Sequence, residues 1–412
     1  YEGEFERYLQ ISQNEDYGEI IDAVSGELGF ETIDTVIPGD NGMDIVISRS
    51  HSTNEKVLGF KSSHAAMANW HFEIPRISIA TTPWGITRGW QPEHFDEVID
   101  VVDSTRTGIC NDPYPGKGKA YQNDGRHIAK KYWAGMKLKI PGQPVQYILE
   151  NTDTASGRYP AGTKWVTTSD WVVSCTSDGM GFIVRSPKGL IYTMDILQAQ
   201  THYSAVVSGW DTGKNTLFAS SVVDVHGNEI TYSYEKTRDF YQLRRTSSTT
   251  GESFLVTKYE LPRYYNKLTQ ISRNDKNGTQ TVEFNYGSDE YLGDISIDSI
   301  TINGRVWQYQ YALSKSGTYE NYLSKVIRPD GRYWQYQYDG EKSYRQEISG
   351  NEPSYRGPNR LTQVKLPSGS TVDYSYKVFN TIPHDPYDEY QRLYTKTVKD
   401  GTTEIDKWVF NY

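Results

Sequence analysis

Helical signal is nearly absent from this chain. Only Glu4–Ser12 and Glu93–Val102 carry a pattern that predicts short helices, so a helical bundle or a layer of helices on a sheet is excluded. No run of about 18 apolar residues exists, which excludes a membrane-crossing helix, and no charged-then-apolar leader opens the chain. Positive charge is scarce: 43 Lys and Arg against 52 Asp and Glu give a net charge of -9. That balance argues against a partner with a nucleic-acid backbone or an anionic membrane surface. Catalytic signatures are missing as well, with no Gly-x-Ser-x-Gly elbow, no His-Glu-x-x-His, no phosphate-binding Gly-x-x-x-x-Gly-Lys and no Cys-x-x-Cys. No enzyme activity, cofactor or metal is therefore expected.

Cysteine is almost absent too, and the two present are an even pair, Cys110 and Cys175. In a loop-rich chain with only five Met, the pair fits one disulfide in an oxidising compartment, with two buried free thiols as the alternative reading. Closing that loop would stabilise the fold by about 4 kcal/mol on the chain-entropy model.

What the chain has in abundance is tyrosine, 33 against 12 Phe. Rings that carry a hydroxyl suit pleated, half-wet sheet surfaces. Apolar and polar residues alternate in Thr231–Tyr234, Val306–Tyr311 and Tyr333–Tyr338, the period of a half-buried strand. The expected fold class is all-β, built of stacked β-hairpins in a curved or spiralling sheet.

An internal repeat occupies the second half. Six copies centre on Gly227, Gly278, Gly304, Gly331, Gly369 and Gly401. In four of them, tyrosines stand five and seven residues after the glycine: Tyr232 and Tyr234, Tyr309 and Tyr311, Tyr336 and Tyr338, Tyr374 and Tyr376. The glycine supplies a positive φ at a tight turn, and the two rings fall on one face. A lone hairpin cannot bury such a face, so successive units must stack edge to edge. Arg185–Asp195 shows the same layout more weakly, while Cys110–Gln146 reads as an irregular insertion rich in Gly, Pro, Asn and Lys. Three regions are expected: an opening segment over 1–90, an irregular β region with the insertion over 91–200, and the repeat sheet over 201–412.

The units Leu323–Asp339 and Leu361–Tyr376, with Leu-Thr/Ser-x-Val, Pro-Asp-Gly-Arg and Tyr-x-Tyr-Asp, closely resemble the YD repeat of bacterial Rhs proteins and of the B and C subunits of insecticidal Tc toxins. Upstream, Ser25–Phe30, Val36–Arg49 and Trp70–Ile77 are similar to the opening strands of Rhs and SpvB-type chains. The resemblance covers residues 20–80 and 180–412. It implies part of a hollow β-cocoon that encapsulates or delivers a C-terminal toxin, secreted or held at a bacterial cell surface. The expected partners are the remainder of a longer chain, the enclosed toxin, and secretion machinery or cell-surface glycans. The chain opens at Tyr1 without a Met and closes on Trp408–Tyr412, so it reads as a piece whose repeats continue. It lacks the Asp-Pro-x-Gly-Leu stretch that closes the Rhs core.

Residues that point to chemistry are few. Trp307, Trp334 and Trp408 are candidates for stacking on sugar faces, which makes a carbohydrate-binding or adhesion module the alternative function. A polysaccharide-active enzyme is a second alternative, with His64 and His71 beside Trp70 and Glu73 as proton-abstracting candidates. His226 occupies a turn. Acidic clusters at Glu93–Asp103 and Asp385–Glu389 lack calcium-loop spacing and read as solvated faces, and Asn274–Gly278 reads as a hairpin turn.

Overall fold

The computed structural model describes residues 18–22, 26–52, 66–81, 109–110, 135–152, 157–200, 213–242, 245–247, 254–256, 260–276, 278–289, 294–313, 321–339, 360–380 and 389–411. The two short helices expected from the sequence lie outside them. The described residues are all-β, as the alternation predicts, with a single 3-10 turn at Asp40–Gly42. They fall into two compact units assembled from separated segments. The first comprises Tyr1–Val36, Val46–Glu73 and Val282–Tyr412, and the second Ile37–Ile45 and Ile74–Thr281. The region expected as 1–90 thus contributes to both.

In the first unit, β1 (Glu19–Ile21), β2 (Leu28–Ile37), β3 (Ile45–Ser52), β4 (Ala66–Met67) and β5 (Trp70–Phe72) form a small sheet in the order β1-β2-β3-β5-β4. Along β2, Leu28, Phe30, Thr32 and Asp34 are buried and their neighbours are not, so one face is covered.

The second unit contains a ring of eight antiparallel strands: β6 (Arg76–Thr81), β7 (Met136–Lys139), β8 (Gln146–Glu150), β9 (Trp165–Thr167), β10 (Val172–Cys175), β11 (Phe182–Arg185), β12 (Ile191–Gln200) and β13 (Gly213–Val223). Each pairs with the next, and β13 returns to β6 through Leu217↔Ile77, which closes the ring. Alternate residues point inward. Ile77, Leu138 and Leu217 share one row, and Trp165, Val173, Val184 and Tyr192 another, all buried, so side chains fill the interior as small barrels require. Cys175 at the end of β10 is bonded to Cys110, with an S–S distance of 2.07 Å. Past Phe218, β13 leaves β6 and takes β14 (Glu229–Gln242) as its partner from Ser221. Register shifts in its pairing with β12 sit at this fork, where a bulge bends the strand.

From there the chain runs as a meander. β15 (Arg245–Ser247) and β16 (Phe254–Val256) form a separate two-stranded ribbon, and β17 (Glu260–Asp275) returns along β14. The boundary between the units falls inside β18 (Gly278–Asp289). Then follow β19 (Asp294–Ile302), β20 (Arg305–Leu313), β21 (Asn321–Ile327), β22 (Tyr333–Tyr338), β23 (Leu361–Lys365), β24 (Thr371–Asn380), β25 (Glu389–Asp400) and β26 (Thr403–Val409), each antiparallel to its neighbour.

The turn glycines behave as the sequence predicts. All six have positive φ, from 58° to 108°, and a Cβ at any of them would meet nothing within 4 Å, so backbone conformation and not space selects glycine. At Gly189, Gly227, Gly331 and Gly369 the glycine N–H donates three residues back, giving the same three-residue hairpin loop four times. Asn303–Gly304 differs, with φ positive at both residues as a two-residue hairpin turn demands.

Candidate functional site

The repeats place their aromatic residues by parity. Counting from the turn glycine, positions three, five and seven share one face, which in the first unit is buried at positions three and five and half-buried at position seven. In the first unit it carries Trp307, Tyr309 and Tyr311, then Trp334, Tyr336 and Tyr338, then Val372, Tyr374 and Tyr376.

The seventh-position tyrosine makes the same bond in each of the four regular units. Its hydroxyl donates to a backbone carbonyl 14 or 15 residues upstream: Tyr234 to Ala219 (2.9 Å), Tyr311 to Ile297 (2.7 Å), Tyr338 to Leu323 (2.9 Å) and Tyr376 to Leu361 (2.7 Å). A register shift precedes each of these tyrosines by one residue, so the strand that follows carries one extra residue there. In three units that extra residue is the Ser or Thr of the Leu-Thr/Ser-x-Val motif. Thr269, Ser324 and Thr362 donate to the carbonyls of Ser233, Gln310 and Gln337 at 3.1, 2.9 and 3.2 Å. The motif therefore reads as a buried Leu, a bulge hydroxyl, and a buried Ile or Val (Ile271, Val326, Val364). The Asp that follows Tyr-x-Tyr is used as well, for Asp339 accepts from Arg360 Nε at 2.6 Å and ties the end of β22 to the start of β23.

At the centre of the first unit lies a charge pair that sequence reasoning did not single out. Arg49 on β3 and Asp34 on β2 have 0% and 1% side-chain exposure and are joined at 3.1 Å. Tyr309 donates to the same carboxylate at 3.0 Å, and Arg49 Nη1 donates to Tyr336. The guanidinium also sits over the rings of Trp70 (4.8 Å) and Trp334 (5.2 Å). Burial pushes Asp34 upward against the pull of Arg49, while the carboxylate keeps Arg49 protonated despite its burial. Desolvation raises the Tyr336 phenol to about 12 and pushes Tyr309, Tyr338 and Tyr376 up as well. These phenols stay protonated at ordinary pH and act as fixed hydrogen-bond donors.

A second arginine does similar work in the second unit. Arg273 on β17 donates to the carbonyls of Ile37 (3.2 Å) and Met43 (3.0 Å), holding the Pro38–Gly39 turn. A Cβ on Gly39 would stand 2.3 Å from Met43 O and 2.5 Å from Arg273 Nη1, so only glycine fits.

Of the three residues expected to stack on glycans, Trp307 and Trp334 are 7% and 4% exposed because they share parity with the repeat tyrosines. Only Trp408 is exposed, at 40%, with Lys396 Nζ 4.8 Å from its ring centre. Of the proton-abstracting candidates, His64 lies outside the described residues, and His71 is a half-buried residue of β5. Trp70 is fully buried, donating its indole N–H to Tyr338 at 2.8 Å, and Glu73 is buried and accepts from Ser50. His226 belongs to a turn organised by Asp224, which accepts its backbone N–H at 2.8 Å. The acidic residues Glu93–Asp103, Asp385 and Asp388 also lie outside the described residues. Among the described residues no helix is long and apolar enough to cross a membrane.

No family model and no curated protein matches the chain. Similar solved structures include the TcdB2-TccC3-TEV crystal structure, with a TM-score of 0.28 and 11% identity over 92% of this chain and 15% of that one. The N-terminal domain of effector protein SpvB from Salmonella typhimurium strain LT2 gives 0.27 and 10% over 89% of this chain and 98% of that one. The Photorhabdus luminescens Tc holotoxin pore gives 0.28 and 12% over 93% and 15%. This chain thus spans under a fifth of the first of these, and scores this low transfer nothing about activity.

Proposed function

We propose that the chain is a wall segment of a YD-repeat shell, a structural element rather than an enzyme, which encloses or helps deliver a polypeptide cargo supplied by residues outside this sequence. The observation that carries this reading is the recurrence of one clamp at one register. Each unit buries its aromatic face, bulges at the same position and hydrogen-bonds the same kind of carbonyl, which is the economy of a wall extended by repetition. Aromatic hydroxyls are consumed inside that wall and stay protonated, which favours a structural use. In the Rhs and Tc proteins that the repeat resembles, the cargo is a toxin domain, and a toxin of the same longer chain is the cargo proposed here. The Cys110–Cys175 bond supports residence outside the reducing cytosol, in secreted form or at a bacterial surface.

Small-angle scattering from the purified chain tests the reading. A compact globule of this length has a radius of gyration of about 22 Å. A shell wall gives a larger value and a pair-distance profile weighted to long vectors. A radius near 22 Å with the profile of a solid body overturns it.

A further inference from the structure

The outer face of the barrel in the second unit departs from the chain's acidic balance. Along β7 to β11 the residues that alternate with the inward ones point outward, and in a protein with 52 acidic residues the outward side chains of these five strands include no carboxylate. Apolar side chains stand there instead. Val145, just before β8, and Tyr147 and Leu149 on it are between 45% and 50% exposed. Standing at alternate positions, they make a stripe about 13 Å long. Pairing widens it, with Leu149, Val166 on β9 and Val172 on β10 directly opposite one another in turn. Cations bound the stripe on both sides. Lys137 on β7 lies opposite Tyr147, its Nζ 5.4 Å from the ring centre, and Arg185 on β11 lies opposite Val172. Lys164, exposed just before β9, has the parity of Val166. Acids in the adjoining turns are engaged: Asp170 accepts from Arg158 and Tyr159, and Asp178 from the Thr176 hydroxyl and the Met180 N–H. Glu150 ends β8 on the opposite parity, across from Trp165.

We infer that this face docks on an anionic lipid bilayer, lying on it rather than crossing it. Protruding Val, Tyr and Leu side chains transfer apolar surface into the headgroup boundary, where a tyrosine ring is apolar at one end and wet at the other. Lysine and arginine stems run along apolar surface while their heads reach lipid phosphates. Spread over the whole chain, the charge of -9 argues against such a partner. At the surface itself the local charges decide, because those farther off than about 8 Å are largely screened at physiological salt. An apolar stripe alone would serve a protein partner equally well. Cations on both sides of it with no acid among them select an anionic surface, and a bilayer supplies one without a shape matched to a convex barrel. Lys137 and Arg185 also end the stripe within a few strands, so it does not girdle the barrel as a membrane-spanning band does. The inference is independent of the wall reading, because it concerns strands that precede the repeat sheet.

Co-flotation of the intact chain with vesicles tests it. Vesicles of phosphatidylcholine mixed with phosphatidylglycerol are expected to carry the protein up a density gradient, and vesicles of phosphatidylcholine alone are not. Tyr147→Ser/Leu149→Ser is expected to lose about tenfold in partitioning, the scale of withdrawing two partly inserted apolar side chains. Lys137→Gln/Lys164→Gln is expected to lose about thirtyfold, the worth of two lysines at an anionic bilayer surface. The same charge change in the first unit, Lys325→Gln/Lys365→Gln, is expected to leave partitioning unchanged. Circular dichroism matching the parent shows that the variants are folded. Equal flotation with both kinds of vesicle, full binding by either barrel variant, or an equal loss in the charge-matched control each overturns the inference. Flotation with neither vesicle, the result of a face that docks a protein, overturns it as well.

Discussion

Tyr338 carries two bonds through one oxygen. It donates to Leu323 O at 2.9 Å and accepts from Trp70 Nε1 at 2.8 Å, so Tyr338→Phe strands two buried partners at once. An unsatisfied buried group costs about 1–3 kcal/mol. Tyr338→Phe is expected to lower stability by about 2 kcal/mol, read as a drop in the urea midpoint at unchanged slope. Tyr333→Phe removes a hydroxyl on the outward face and is expected to stay within about 0.5 kcal/mol. The contrast separates a wall tyrosine from a surface one within a single strand.

Between elements, the Arg49–Asp34 pair bolts β2 and β3 to β20 and β22. Four strands meet at one buried carboxylate and one buried guanidinium. Removing one partner leaves an uncompensated charge, which costs about 3–5 kcal/mol. Arg49→Met is expected to cost that much, whereas Asp34→Asn/Arg49→Met is expected to cost less than the sum of its parts, since neither charge is then left alone. Denaturant midpoints of the two single variants and the double variant close the cycle. Strict additivity would mean that the pair does not act as a unit.

For the molecule as a whole, the two units are expected to respond differently to reduction. The disulfide lies in the second unit and spans 65 residues, so its reduction releases about 4 kcal/mol of loop constraint there. Heating with and without reductant, and the Cys110→Ala/Cys175→Ala variant, are expected to shift the transition of the barrel-bearing unit downward and leave that of the other unit in place. A reductant effect on both transitions alike would contradict the assignment.

Local rules made much of this fold legible in the amino-acid sequence. The period of two gave the all-β class, the glycines gave six turns through their need for positive φ, and a fixed spacing gave the register of the tyrosine pairs. The parity of Trp307 and Trp334 with those tyrosines was legible too, since position three shares a face with positions five and seven. What alternation leaves undetermined is which of the two faces is covered. Packing decided that, together with every contact that spans the chain. Tyr309 and Tyr336 reach Asp34 and Arg49 across 275 and 287 residues, and no local pattern marks either partner. The closure of eight strands through Leu217↔Ile77 is likewise a tertiary event, because strand period fixes pairing edges but not the strand that fills the last one.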